Sequence, residues 1–185
     1  MILKFTRLGR RFYMDIYHTI EEKYLQAIDE LNYGDSPKAL RLLNEIVAND
    51  PTYARAHYQL GLIYYYNIED YNAAGYHFKL CIELEPEFPD VYYHYLKLIV
   101  FLNKSKLVVI VAAQALKTPG VDSASVHNML GLHAEKNRNW DEALKNYRDA
   151  LLETASKKTH EDIEESIARV KGKQILSGKY NYQLS

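Results

Sequence analysis

The chain has 185 residues, 48% hydrophobic and 25% charged, with a formal net charge of -1. The balance of 23 basic against 24 acidic residues removes any overall electrostatic drive toward nucleic acid or an anionic membrane surface. Its single cysteine, Cys81, excludes an internal disulfide and leaves no C-x-x-C metal or redox spacing, so a reducing, cytoplasmic setting is expected.

In chain order, residues 1–13 carry Lys4, Arg7, Arg10 and Arg11 but no apolar run of signal-peptide length, and read as a solvated tail preceding a fold that opens at Met14. Apolar residues at helical spacing then predict helices over 14–33, 36–48, 52–67, 71–84, 88–103, 105–117, 122–136, 140–156 and 159–175. Ser36-Pro37 has the composition of a helix start, with Ser as cap, and Asp122 and Thr159 are further candidate caps. The apolar stretch YLKLIVFLNKSKLVVIVAAQAL is interrupted by Asn103, Lys104, Ser105 and Lys106. It therefore reads as two buried helices joined by a polar turn and not as a membrane span. Its first half, VYYHYLKLIVFL, is apolar nearly all round, which means burial on every side or a place in an interface. The last helix has Ile163, Ile167 and Val170 on one face and charges elsewhere, the pattern of a closing helix over 157–177 before a tail at 178–185.

A period runs through these elements. Pro51, Pro86 and Pro119 lie 35 and 33 residues apart. Ala39, Leu43 and Ile46 recur as Ala74, Phe78 and Cys81, and again as Ala143, Tyr147 and Ala150. Upstream stand the pairs Gln26-Ala27, Leu60-Gly61 and Leu130-Gly131, each closed by a small residue. Small residues where two helices cross let the backbones approach, while larger ones fill the space beside them. One extra residue lies between Tyr64 and Ala74, and the turn near Asn67 to Asp70 is its expected place.

Leu60, Gly61, Tyr64, Ala74, Phe78 and Pro86, with Leu130, Gly131, Ala143, Tyr147 and Ala150, make the chain resemble a tetratricopeptide repeat array. The resemblance covers about three quarters of the chain. The third repeat is degenerate, with Leu96 at the small-residue position. It implies an all-α, right-handed solenoid of four helix-turn-helix repeats, about 20–53, 54–88, 89–121 and 124–156, within an array over 14–156. It also implies a non-enzymatic role: a protein-interaction module or chaperone-like adaptor without cofactors, holding a partner segment in its concave groove.

The family's groove positions fall on Glu21, Tyr24, Ile28, Leu31 and Asn32 in the first repeat, and on Arg55, Tyr58, Leu62, Tyr65 and Tyr66 in the second. In the third they are Asp90, Tyr93, Lys97, Val100 and Phe101, and in the fourth Ser125, Asn128, Leu132, Glu135 and Lys136. The expected groove is thus aromatic over three repeats and polar at the fourth, and suits an apolar segment of another protein. The bland alternative is that the rings pack on one another or under the N-terminal tail. Tyr24 and Ile28 stand where carboxylate-binding co-chaperones of this family carry Lys and Asn, which argues against that activity; the apolar groove is closer in character to bacterial secretion chaperones. A second class of function is a structural subunit of a homo-oligomer assembled through the apolar third repeat.

Other signals are weak. No metalloprotease, nucleophile-elbow, P-loop or dinucleotide fingerprint occurs. His57 and His127 fall at packing positions, His94 and His133 lack a ligand at i+4, and Cys81 takes the small packing position of a buried thiol.

Overall fold

Side-chain caps from Asp70, Asp122 and Asn139, with prolines at Pro37 and Pro89, mark the starts of five helices. The computed structural model describes residues 20–181, with side chains to 177. The expected 1–13 tail, the helix start at Met14 and residues 182–185 lie outside the described residues. The elements are α1 (20–33), α2 (Ser36–Asn49), α3 (Ala54–Ile63) continued by a π-helical turn (Tyr64–Ile68), α4 (Tyr71–Leu84), α5 (Asp90–Phe101), α6 (Ser105–Ala115), α7 (Ser123–Lys136), α8 (Trp140–Glu153) and α9 (Lys157–Asn181). Helix α9 thus extends past the expected end at 177. No strand occurs among the described residues.

The helices form two compact units, one ending at Glu85 and one starting at Pro86. In the first, α3 packs on α2 and α4, over a core of Ile20, Tyr24, Ala27, Leu42, Leu43, Ile46, Ala56, Leu60 and Ile63. In the second, α5 pairs with α6, both meet α7, and α7, α8 and α9 pack in succession. The core of its last three helices is Ala134, Ala143, Leu144, Tyr147, Ala150, Ile163 and Val170.

The crossing argument holds at atomic distances. A Cβ at Gly61 would lie 2.5 Å from the Phe78 ring, and one at Gly131 would lie 2.7 Å from the Tyr147 ring. The degenerate third repeat keeps the same sum with the sizes exchanged. Leu96 takes the small position on α5, and Ala112 takes the position on α6 that Phe78 and Tyr147 fill elsewhere; both are buried. Volume conserved across a facing pair is what close packing requires.

Caps depart from the sequence reading at two of three places. Asp122 accepts from the Ala124 N–H at 3.1 Å, as expected. Ser36, however, already lies inside α2, where Pro37 occupies the first turn. The preceding Asp35 N–H is taken by Glu30 at 3.0 Å, and Glu30 also pairs with Lys38. At α9 the cap is Ser156, whose Oγ accepts from the Thr159 N–H at 3.3 Å, so Thr159 is the donor.

The extra residue of the second repeat is not in the turn. Glu69, Asn103 and Arg138 adopt left-handed φ values of 61°, 52° and 59°, each five residues before Ala74, Val108 and Ala143. The turn is therefore in register in all three repeats, and the insertion is absorbed upstream, in the π-helical turn Tyr64–Ile68. A wide turn is how a helix takes up one residue without shifting its packed face. Left-handed backbone at a side chain as long as Glu is costly. Glu69→Gly is therefore expected to stabilise the protein by about 1 kcal/mol, read from urea unfolding midpoints.

Candidate protein-docking surface

Within the first unit, Tyr24 does not line an open surface. It is 9% exposed and belongs to the core. Its ring meets Tyr53 at 5.4 Å, and the Arg55 guanidinium lies 5.2 Å from the Tyr24 centroid and 5.3 Å from that of Tyr53. Glu21 completes the group, accepting from the Tyr53 hydroxyl at 2.6 Å and from Arg55 at 3.1 Å. Burial, aided by the Glu21 bond, pushes the Tyr53 hydroxyl up. The expectation that Tyr24 offers a free ring is thus corrected. A cation held by Glu21 and stacked over two phenols seals that ring against α3. Ile28 and Leu31 are half-buried beside the same core. Tyr53, which the sequence reading passed over, is the residue that closes the site; its only sequence signal is an aromatic two residues before the guanidinium.

Further along α3, Tyr58, Leu62 and Tyr65 follow at i, i+4 and i+7 and are half-buried. The π-helical turn then carries Tyr65 and Tyr66 as neighbours, with rings 4.5 Å apart, and leaves Tyr66 46% exposed. Tyr71, at the start of α4, meets Tyr65 edge-on at 6.0 Å. Tyr64 turns away and stacks flat on His77.

His77 is bonded to His57, Nδ1 to Nδ1, at 2.9 Å, while His57 Nε2 lies 2.9 Å from the Pro51 carbonyl. A carbonyl only accepts, so His57 donates from Nε2 and its Nδ1 accepts from His77 Nδ1–H. The bond needs only a lone pair on His57 Nδ1, and His77 gives its Nδ1–H whether or not its other ring nitrogen is protonated. Burial, then the neighbouring His57, pulls His77 from 6.5 to about 4. Since the folded value lies below the unfolded one, the stability tied to burying His77 as a neutral ring is complete above pH 6.5 and is lost as pH falls toward 4. The melting temperature should fall over that window, and fall less in His77→Phe, which keeps the stacked ring and cannot take up a proton.

In the second unit Tyr93 is 39% exposed, edge-on to His94 at 5.1 Å, with the Lys97 ammonium 6.0 Å from its centroid. Phe101 is 54% exposed under the Lys136 ammonium at 5.8 Å, and Lys136 also donates to the Val100 and Phe101 carbonyls at 2.8 Å each. Glu135, expected on the groove stripe, is instead buried. It accepts from Tyr147 and twice from Arg169 at 2.8 Å, and from Lys173 at 2.7 Å. The Arg169 bonds above all, with Lys173 and Tyr147, hold its carboxyl near 2 against the opposing pull of burial. Helix α5 buries seven residues on several sides. The uncovered apolar face lies on α6, where Val109 and Ile110 are 63% and 62% exposed.

Cys81 is fully buried, and burial pushes its thiol up to about 12. Among the described residues no group of three or more His, Cys, Asp and Glu side chains could hold a metal ion, and no helix is long and apolar enough to cross a membrane.

A tetratricopeptide repeat family model matches residues 24–84. Residues 24–84 are tetratricopeptide repeats. Solved structures extend the tetratricopeptide fold over most of the chain. MamA residues 41 to the end from Desulfovibrio magneticus RS-1 is 18% identical, covering 83% of this chain and 93% of that one, with a TM-score of 0.62. PilW, a widely conserved type IV pilus biogenesis factor, is 16% identical over 90% and 92%, with a TM-score of 0.64. TTC0263, a thermophilic tetratricopeptide protein of Thermus thermophilus, is 19% identical over 82% and 80%, with a TM-score of 0.59. A comparison with curated protein sequences finds no match. At these identities the likeness is one of fold, and the surface residues are this chain's own.

Proposed function

We propose that the chain is a protein-interaction module, an adaptor or chaperone-like holder, that docks an apolar segment of a partner on the tyrosine surface of α3 and its π-helical turn. One observation carries the reading: the insertion sets Tyr65 and Tyr66 side by side, with Tyr66 46% exposed, beyond Tyr58 and Leu62 on the same helix. Phenolic rings offer large contact area at low conformational cost. Burying one Leu- or Phe-sized anchor contributes roughly 1.5–3 kcal/mol, so two or three would hold a micromolar complex after ordering costs. The second unit carries a smaller patch of its own in Tyr93, Lys97 and Phe101, where a ring beside a cation suits a more polar stretch of partner. A photo-crosslinker at Tyr66 is expected to label a partner protein, with Tyr58→Ala and Tyr93→Ala each weakening capture while helical content is unchanged. Undiminished capture by both variants would remove these surfaces from consideration.

A second reading rests on α6, which leaves Val109, Ile110 and Leu116 exposed on one apolar helix. Self-association through that face would make the chain a structural subunit of an oligomer. Light scattering of the wild type against Ile110→Asp decides it, a monomer in both being the outcome against.

A further inference from the structure

A cavity of about 460 Å³ opens where the α7–α8 turn meets the last turns of α9, walled by Glu135, Lys136, Arg138, Trp140, Lys173 and Leu176. Its charges do not cancel. Glu135 is only 4% exposed at its side chain, and its carboxylate is consumed by Tyr147, Arg169 and Lys173. Lys173 spends one N–H on Glu135, and Lys136 spends two on the α5 carbonyls, so both keep donors to give. The Arg138 side chain has no ion-pair or hydrogen-bond partner among the described residues, and it stands at the left-handed residue of the α7–α8 turn, φ 59°. The nearby acids Asp141 and Glu142, bonded to the Gln174 and Asn146 amides, keep their charge but do not line the cavity.

Donors in excess thus face an aromatic and aliphatic wall. We propose that this cavity binds an acidic peptide segment, one Glu or Asp carboxylate lying between Arg138 and Lys173 with its methylene stem on Trp140. A carboxylate fits better than a phosphate because Trp140 and Leu176 give its methylene stem apolar cover that a phosphate would not use, while the Arg fork suits either. Beside the cavity, Arg169 and Lys173 already grip the chain's own Glu135 in this manner. The site shares no residue with the tyrosine surface of α3, so its test is independent of that reading.

Trp140 is the only tryptophan in the chain, so its emission reports on this wall directly. The probe is an acetylated, amidated Leu-Glu-Glu-Leu peptide titrated into the full chain at low salt, beside its Gln-substituted and phosphoserine counterparts. A saturable change is expected for the acidic peptide, weakened about fivefold or more in Arg138→Gly and abolished by high salt. Arg138→Gly relieves the left-handed backbone while removing the guanidinium, so a loss of binding with undiminished thermal stability is a binding effect. No saturable change, an equal response to the Gln peptide, or unaltered affinity in Arg138→Gly would overturn the proposal. Tighter binding of the phosphoserine peptide would overturn its assignment to a carboxylate.

Discussion

Replacing both Arg169 and Lys173 with Met is expected to cost about 3–5 kcal/mol, because it leaves the buried Glu135 carboxylate without a cation. The asymmetry of the cluster makes this test sharp. Glu135 is 4% exposed at its side chain, whereas Arg169 and Lys173 are 45% and 47% exposed. Either cation can return to water when its partner is lost, but the anion cannot. Glu135→Gln should therefore cost less than the double Met variant, since the amide oxygen still receives the Tyr147 hydroxyl while the cations rehydrate. Urea unfolding of the three proteins decides this, and equal losses in the two variants would refute the asymmetry.

The pH dependence follows with a defined sign. The wild-type carboxyl lies near 2, below its ordinary 4.5. Its stabilising contribution is present above pH 4.5 and is lost as pH falls toward 2. In the double Met variant burial is opposed only by the smaller effect of the Tyr147 bond and raises the carboxyl above 4.5, so acidification through that range should relieve part of the defect. The cluster joins α7, α8 and α9, so fluorescence of Trp140 follows its loss.

The second large effect is a change of sign at the α3–α4 crossing. Gly61→Ala puts a methyl 2.5 Å from the Phe78 ring, which is fully buried and cannot swing aside. Such crowding costs about 1–3 kcal/mol, against a gain of roughly 1 kcal/mol for replacing Gly within a helix. The net should be a loss. In a Phe78→Leu background, where the ring is gone, the same substitution should stabilise. Thermal melts of the four proteins complete the cycle, and additive effects would show that glycine at 61 answers to something other than Phe78.

These two sites differ in how far they could be read in advance. Gly61 with Phe78 and Gly131 with Tyr147 were legible because a small residue and a large one recur at one offset, and helix geometry turns that offset into a contact. Leu96 looked anomalous only while read alone; with Ala112 it is the same pair reversed. Nothing periodic announces the Glu135 cluster. Its members lie 12, 34 and 38 residues apart on three helices, and charged residues on a helix face read as solvated until another helix covers them. The same limit hid the closure of Tyr24 by Tyr53 and Arg55, which lie about 30 residues on, at the junction with the next repeat.

By itself, then, the amino-acid order determined the helical hairpins, their period and the small-against-large crossings, because these depend on backbone geometry and side-chain volume at fixed local offsets. Only the tertiary structure decided which tyrosines remain open, where the extra residue is absorbed, and which carboxylate is buried. Those outcomes depend on rings and charges brought together from distant positions, where burial and pairing compete and sequence spacing is silent.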